Sequence, residues 1–181
     1  MERKNQSEAL VHQLNISDLL RDIYQLLSFF LASRQIAELD QSSLYGSNDP
    51  IFQFKDIERD LITNNLISIA IKIRILDDRE PHKFDMFTDY CGLITKDILN
   101  PIESNGLGLR DACNKIIHAR KVNFDVDSTT TGQLFLHPYI YLEGTETKWK
   151  KNIKYEVTWC TNIDIVRFCR ESAAAIQTLT R

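Results

Sequence analysis

The sequence predicts a mainly α-helical protein, in which a helical bundle carries a small antiparallel sheet inserted before its last helix. Segments 17–39 and 54–79 place apolar residues at helical spacing and contain neither Pro nor Gly. Segment 122–160 changes to stretches of alternating apolar and polar residues, which are typical of strands with one buried face. Helical spacing then returns up to Leu179, so the sheet is predicted to interrupt a bundle.

The composition fits one globular domain. The chain has 181 residues, of which 43% are apolar and 26% are charged, and this length is enough to bury a core. We expect a single domain over residues 1–181, with residues 1–15 as a polar lead-in and residues 122–160 as the β insertion. The formal net charge of -3 gives the whole molecule no attraction to nucleic acid or to an anionic membrane. A polyanion would therefore need a local basic patch.

The helical segments before the insertion differ in their predicted surroundings. Ser17 is the expected N-cap of the first helix, which extends to about Leu39. The second helix, 54–79, is apolar on most sides, which predicts a central position between neighbouring helices. Residues 82–99 follow Pro81 and are predicted to form a shorter helix.

The β insertion is predicted to consist of strands separated by polar turns. Residues 122–127 alternate and form its first strand. Pro138 interrupts the next apolar run, which predicts an edge strand or a bulge. Residues 143–151 are polar and are predicted to form a loop, whereas residues 152–160 alternate again as the last strand.

A polar stripe on the helix predicted over residues 107–121 could form a functional site. Arg110, Asn114 and His118 follow one another at i, i+4 and i+8, and Lys121 comes round onto the same edge. All four side chains can contact a phosphate. The other face of this helix is apolar and is predicted to pack inward, and it consists of Leu109, Ala112, Cys113, Ile116 and Ile117. The alternative is that the stripe is the solvated edge of an ordinary amphipathic helix.

Charged residues near the end of the second helix are predicted to lie on its core side. Arg74 and Asp78 stand at i and i+4, so they can form a partly buried ion pair. Arg74, Asp77 or Asp78 could also face the polar stripe and orient the His118 imidazole, because an acidic partner sets the tautomer of a histidine. The two roles are compatible.

The residue types of the polar stripe suit phosphodiester chemistry. The sequence contains no GxGxxG or GxxxxGK motif for a nucleotide and no GxSxG elbow for a nucleophilic serine. Cys113 lies on the apolar face, away from His118. A histidine with cationic neighbours remains, and this set suits metal-independent cleavage of RNA. His118 would act as base or acid, and Arg110 would hold the phosphate together with Lys115 or Lys121.

The segment RDACNKIIHARK, which follows an apolar helix ending in RILDDR, resembles the HEPN superfamily (the higher-eukaryote and prokaryote nucleotide-binding domain). The resemblance implies a helical bundle and, in many members, a metal-independent ribonuclease of toxin, antiphage or RNA-processing systems. It also implies a homodimer with a composite site at the interface. The matched positions are His118, Asn114 and Lys115, with Arg110 as the arginine of the motif, and the predicted catalytic set is His118, Arg110 and Asn114.

The spacing of this motif departs from the family pattern. Seven residues separate Arg110 from His118, which is longer than the usual spacing, and Cys113 stands where the shortest usual spacing would place the arginine. The departure favours an alternative function, a non-catalytic interaction module that binds a protein partner. A domain that binds a nucleotide or another small anion without turnover is a further alternative.

A second cluster of cations lies in the predicted loop of the insertion. Its members are Lys148, Trp149, Lys150, Lys151 and Lys154. A nucleic-acid contact could use both the charges and the aromatic ring, so Lys150 and Lys151 join Lys115 and Lys121 as predicted substrate-binding residues. The alternative is a solvated loop whose lysines protect an exposed sheet edge.

The cysteines and the termini complete the predictions. The four cysteines show no zinc-like spacing with the four histidines, so we expect reduced structural thiols, no metal and no cofactor. The N-terminal residues lack the apolar core of a signal peptide, and no later apolar run is long enough to cross a bilayer. The expected location is the cytoplasm, and the expected partners are a second copy of the chain, RNA or another protein.

Overall fold

The computed structural model describes residues 15–39, 53–79, 89–99 and 104–179. Within these ranges the chain forms four helices and one five-stranded sheet, so the prediction of a mainly helical bundle is wrong. The protein is a mixed α/β fold. Its elements are α1 (Ile16–Leu39), α2 (Gln53–Arg79), β1 (Gly92–Thr95), β2 (Ser104–Leu107), α3 (Leu109–Ile117), β3 (Lys121–Ser128), β4 (Leu134–Lys150), β5 (Ile153–Asp164) and α4 (Ile165–Leu179).

The sheet is the base of the fold and not an insertion into it. Its strand order is β2-β1-β5-β4-β3, and all neighbouring strands are antiparallel. The strands predicted within residues 122–160 are confirmed as β3, β4 and β5. However, β1 and β2 precede α3 in the chain and join the sheet beside β5. The sheet therefore connects the two halves of the chain.

The helices cover one face of this sheet. Ile140 pairs with Ile163, and Leu142 pairs with Thr161, and all four side chains are buried beneath the helices. On the opposite face Tyr141 is exposed, and within the described ranges no helix packs over it. The core therefore lies between a helical layer and one side of the sheet.

The N-cap of helix α1 lies two residues before Ser17, so the predicted cap is wrong. The Asn15 side-chain oxygen accepts a hydrogen bond from the backbone N–H of Ser17 at 3.0 Å, and the Asn15 carbonyl accepts one from Leu19. Asn15 is therefore the N-cap, and Ser17 lies in the first turn. Leu26 and Phe30 follow Leu19 on the buried face of the helix.

The predicted helix over residues 82–99 is wrong where the structure describes it, because Gly92–Thr95 form β1. Gly92 lies directly against the backbone carbonyl of Asn162 in β5, and a β-carbon at this position would overlap that oxygen. Leu93 and Ile94 continue the pairing with β5. Residues 80–88 of the predicted helix lie outside the described residues.

Strands β4 and β5 form one long hairpin where a polar loop was predicted. Their pairing runs without a break from Tyr139 with Asp164 to Lys150 with Ile153. The two-residue turn consists of Lys151 and Asn152, whose φ angles of 50° and 64° match a tight hairpin turn. Residues 143–151 are therefore mostly strand.

Pro138 lies within β4, which is an inner strand. The register between β3 and β4 shifts between Phe124 and Val126, opposite the residues around Pro138. Proline cannot donate a hydrogen bond to a neighbouring strand, and the irregular pairing removes that requirement. The predicted bulge is therefore confirmed, and the alternative of an edge strand is wrong.

Candidate functional site

Helix α3, which carries the polar stripe, is shorter than the predicted range of 107–121. Leu107 pairs with Gly92 at the end of β2, and Lys121 pairs with Glu143 at the start of β3. The apolar face is confirmed, because Leu109, Ala112, Cys113 and Ile116 are buried. Ile117 is 37% exposed and borders this face.

Arg110 belongs to a cluster of four charged side chains between α2 and α3. It forms an ion pair with Asp77 and lies 3.4 Å from a carboxylate oxygen of Asp78. Arg74 contacts the same two carboxylates, at 2.8 Å from Asp77 and 3.1 Å from Asp78. We call this group the Arg–Asp cluster. Its two cations and two carboxylates balance each other.

The charges of the Arg–Asp cluster are used within the fold. Asp77 is only 2% exposed, so its carboxylate depends on Arg74 and Arg110 for compensation. The predicted ion pair between Arg74 and Asp78 is present. Asp77 and Asp78 both contact Arg110. Among the described residues, neither of them nor Arg74 contacts His118, so the predicted orienting role is not seen.

His118 and Asn114 form the open part of the polar stripe. His118 ends α3, and its backbone N–H donates a hydrogen bond to the Asn114 carbonyl at 3.1 Å. The His118 side chain is exposed and that of Asn114 is half-buried. Neither side chain has a hydrogen-bonding or ionic partner among the residues that the structure describes. Both are therefore available to a ligand.

Lys115 is held between α3 and the β4–β5 hairpin. Its ammonium nitrogen lies 4.4 Å from the centre of the Trp159 ring and 3.9 Å from a carboxylate oxygen of Glu146. Burial lowers the pKa of Lys115, the nearby carboxylates of Glu146 and Asp111 oppose this shift, and the cations Lys148 and Lys96 add to it more weakly. Lys115 is thus a partly buried cation with carboxylates as well as cations around it.

Lys121 lies on the opposite face of the sheet. It pairs in register with Glu143 and forms an ion pair with it at 3.0 Å. The neighbours of Glu143 in β4, Leu142 and Gly144, point toward the helical layer. The structure therefore does not bring Lys121 together with Arg110 and His118.

The end of the β4–β5 hairpin carries an uncompensated positive charge. Residues 147–155, which we call the basic tip, contain four lysines and no acidic residue. Lys150 ends β4 and Lys151 occupies the first turn position. Trp149 is 68% exposed and Tyr155 is 40% exposed. The tip therefore offers both cations and aromatic rings to solvent.

The two aromatic residues of the basic tip lie on opposite faces of the hairpin. Trp149 pairs with Lys154, whereas Tyr155 pairs with Lys148 in the adjacent position. Successive residues of a strand point to opposite faces, so each face presents one ring beside one lysine. The aromatic contribution of Tyr155 was not recognised from the sequence, although its alternation with Val157 and Trp159 placed it on the strand.

Lys115 adjoins the basic tip. Lys148 follows Glu146, which contacts Lys115, by two residues on the same face of β4. This spacing corresponds to about 7 Å along the strand. Lys115 and Lys148 therefore lie on the same side of the hairpin, with the carboxylate of Glu146 between them.

Cysteines and acidic residues do not assemble into a metal site in the described ranges, where no group of three His, Cys, Asp or Glu side chains could hold an ion. Cys91, Cys113 and Cys169 are buried as free thiols, and Cys160 is half-buried. Burial raises the pKa of Cys91 and of Cys169 to about 12. In the same ranges, none of the helices combines the length and the apolar character needed to cross a membrane.

The site thus consists of two parts, the polar stripe with its Arg–Asp cluster and the basic tip continued by Lys115. Comparison of the sequence with protein-family models, with curated proteins and with solved structures finds no match.

Proposed function

We propose that this protein binds single-stranded nucleic acid, with a preference for RNA, through the basic tip and Lys115. The observation that carries the proposal is the concentration of four lysines without an acidic residue around an exposed Trp149. The net charge of the chain is -3, so this patch runs against the overall charge of the molecule. Proteins that bind single strands combine such cations with rings on which bases stack.

The geometry of the hairpin suits a flexible single strand. Lys148, Lys150, Lys151 and Lys154 can neutralise phosphates along one backbone, and each neutralised phosphate releases a counterion. Trp149 on one face and Tyr155 on the other offer stacking surfaces to bases on either side of the hairpin. The preference for RNA over DNA comes from the HEPN resemblance.

Binding is supported more directly than cleavage. A phosphate-holding arginine needs free donors, whereas both carboxylates of the Arg–Asp cluster contact Arg110. A catalytic imidazole is usually oriented by a partner, and His118 has none among the described residues. The polar stripe of one chain is therefore an incomplete catalytic centre.

A metal-independent ribonuclease remains the second candidate, favoured by the exposed His118 beside Asn114. In this reaction His118 takes the proton of a 2′-OH, the 2′ oxygen bonds to phosphorus, the bond between phosphorus and the 5′ oxygen breaks, and water donates a proton to that leaving oxygen. The product carries a 2′,3′-cyclic phosphate. Lys115 would stabilise the charge on the phosphate.

We also propose a cytoplasmic location, where free thiols such as Cys113 stay reduced.

Fluorescence anisotropy with a labelled single-stranded RNA of about 12 nucleotides tests the binding proposal. We expect Trp149→Ala to weaken binding about tenfold, because one base loses its stacking partner. Lys150→Ala with Lys151→Ala should reduce the slope of log affinity against log salt by about 1 to 2. Lys121→Ala is the matched control, since its lysine is paired with Glu143 and lies away from the tip along β4, and should bind like the wild type. Equal affinity of all variants would reject the basic tip as the binding surface.

Cleavage of total RNA in EDTA tests the second candidate separately. The wild type is compared with His118→Ala, and the ends of the products are identified. Products with 2′,3′-cyclic phosphate ends that disappear in His118→Ala would support the ribonuclease. If both proteins leave the RNA intact, the ribonuclease candidate is rejected, while the anisotropy measurement still decides on binding.

A further inference from the structure

A cavity of about 280 Å³ lies between the first half of α4 and the segment that precedes β1. Helix α4 contributes Arg167, Arg170 and Glu171 to its lining, and the segment before β1 contributes Asp89 and Tyr90. None of these residues belongs to the polar stripe or to the basic tip. The cavity is slightly smaller than the pockets that bind drug-sized ligands, so its volume suits a small molecule.

The two walls of this cavity are joined by the fold. Arg167, Arg170 and Glu171 stand at i, i+3 and i+4, so they share one side of α4. On the other wall, the Cys91 carbonyl accepts a hydrogen bond at 2.8 Å from the backbone N–H of Asp164, which directly precedes α4. The segment that carries Asp89 and Tyr90 is therefore tied to the start of the helix.

Tyr90 forms an aromatic part of the cavity wall. Its ring lies so close to Gly106 in β2 that a β-carbon at Gly106 would be 2.5 Å from the ring atoms. Glycine is therefore needed at this position, and its contact holds the ring in place. Tyr90 is still 56% exposed and lines the cavity. An aromatic ring in such a position can hold an ammonium group over its face.

Glu171 is a buried carboxyl group without a partner. It is only 7% exposed, yet its carboxyl forms neither a hydrogen bond nor an ion pair with any residue that the structure describes. Buried charges in proteins are normally paired, because their removal from water is costly. Burial raises the pKa of the Glu171 carboxyl, Asp89 raises it further, and Arg170 opposes the shift. A ligand with a cationic group would supply the missing partner.

The other charges of the cavity restrict the kind of ligand that fits. Arg167 lies 3.5 Å from a carboxylate oxygen of Asp164 and is already compensated. Arg170 and Asp89 form no ion pair within the described ranges. The cavity thus combines one free guanidinium with two free carboxyl groups, including that of Glu171. This excess of negative charge disfavours a phosphate, whereas Arg170 can still bind a single carboxylate.

We propose that this cavity binds a free α-amino acid. The ammonium group of the ligand contacts Glu171 and Asp89 beside the Tyr90 ring, and its carboxylate contacts Arg170. A free amino acid carries both charges on one small molecule, as the cavity requires. A metal ion fits less well, since the described residues offer no group of three ligands for it. The site is separate from the proposed nucleic-acid surface, so neither proposal depends on the other.

Thermal-shift measurements on the full chain test the site with each of the standard L-amino acids at about 10 mM. We expect at least one of them to raise the Tm of the wild type. Calorimetric titration then gives the dissociation constant of that amino acid. Its N-acetyl derivative lacks the ammonium group and should bind about 100-fold more weakly, while its α-amide lacks the carboxylate and should bind about tenfold more weakly.

Two variants separate ligand binding from folding. Glu171→Gln keeps the shape of the side chain, so we expect affinity to fall about tenfold or more while the Tm without ligand stays the same or rises. Arg170→Gln should weaken binding about tenfold, because the ligand carboxylate loses its guanidinium partner. The matched control is Glu156→Gln, which changes an exposed glutamate of β5 outside the cavity and should bind like the wild type. Circular dichroism confirms that each variant is folded.

Four results would overturn the proposal. The site is excluded if no amino acid binds the wild type at about 10 mM. Equal affinity for the amino acid and both of its derivatives would show that the charges of the ligand are not recognised. Unchanged affinity in Glu171→Gln would place the ligand elsewhere. A lower Tm of Glu171→Gln without ligand would show that this carboxyl serves the fold.

Discussion

The polar stripe and the basic tip contain similar residue types but differ in how their charges are compensated. In the stripe, Arg110 is tied to the carboxylates of Asp77 and Asp78. In the tip, no ion pair involves Lys150 or Lys151 among the residues that the structure describes. Cations that already have partners stabilise the fold, whereas cations without partners are available to a polyanion. The presence of a cation in a sequence motif therefore does not identify a binding residue by itself.

The two tryptophans provide the largest expected contrast between the regions. Trp159 is 2% exposed and supports Lys115, so Trp159→Ala should lower the free energy of unfolding by about 3 to 5 kcal/mol. Trp149 is 68% exposed, and Trp149→Ala should change the free energy of unfolding by less than about 0.5 kcal/mol. Urea denaturation of both variants measures the difference. A similar loss of stability in both would show that the basic tip is part of the packed fold.

The two aspartates of the Arg–Asp cluster give the next largest contrast. Asp77→Asn removes the charge from a carboxylate that is 2% exposed and leaves two arginines undercompensated, so we expect a loss of about 3 kcal/mol. Asp78 is exposed, and Asp78→Asn should cost less than about 1 kcal/mol.

Urea denaturation combined with RNA binding measures both effects of the aspartate changes. If the compensated arginines serve only the fold, neither variant should bind RNA more tightly than the wild type at low salt. Tighter binding by Asp78→Asn would mean that Arg110 becomes a phosphate ligand once it is released.

The smallest expected effect is the contribution of Lys115 to the pH dependence of the unfolding free energy. Lys115 lies between helix α3 and the β4–β5 hairpin. Burial lowers the pKa of Lys115 in the folded state, so between that pKa and the unfolded value of 10.5 the unfolded chain binds more protons. Stability should therefore rise with pH in that window and be independent of this group below it. The difference in unfolding free energy between the wild type and Lys115→Met should grow in favour of the wild type as the pH rises toward 10.5 and level off above it. A constant difference would indicate that Lys115 is fully solvated.

The spacing of apolar residues correctly predicted those helices and strands whose structure follows from their own local sequence. The long apolar repeats of α1 and α2 were recognised to within one or two residues of their bounds, as was the buried face of α3. The clean alternation of β5 was also recognised. In these segments the spacing of apolar residues and the final packing agree.

The predictions that were wrong concern segments whose structure depends on contacts with residues far away in the sequence. Gly92 forms part of β1 because its backbone meets Asn162, which lies 70 positions later in the chain. Residues 143–151 are polar, yet they extend β4 because β5 pairs with them along their whole length. Arg110 was assigned to a phosphate, and its actual partners lie on α2. No local pattern contains this information, because each case depends on which segments meet in the fold.

The position of β5 has a consequence for how the protein is made. This strand lies at the centre of the sheet, between β1 and β4, but it is the last of the described strands to be synthesised. Until it leaves the ribosome, the facing edges of β1 and β4 have no partner, and the sheet consists of two separate pieces. Open strand edges attract other strands, so nascent chains that stop before Ile153 should be the species that need chaperones. The order of synthesis thus delays closure of the sheet until β5 has been made.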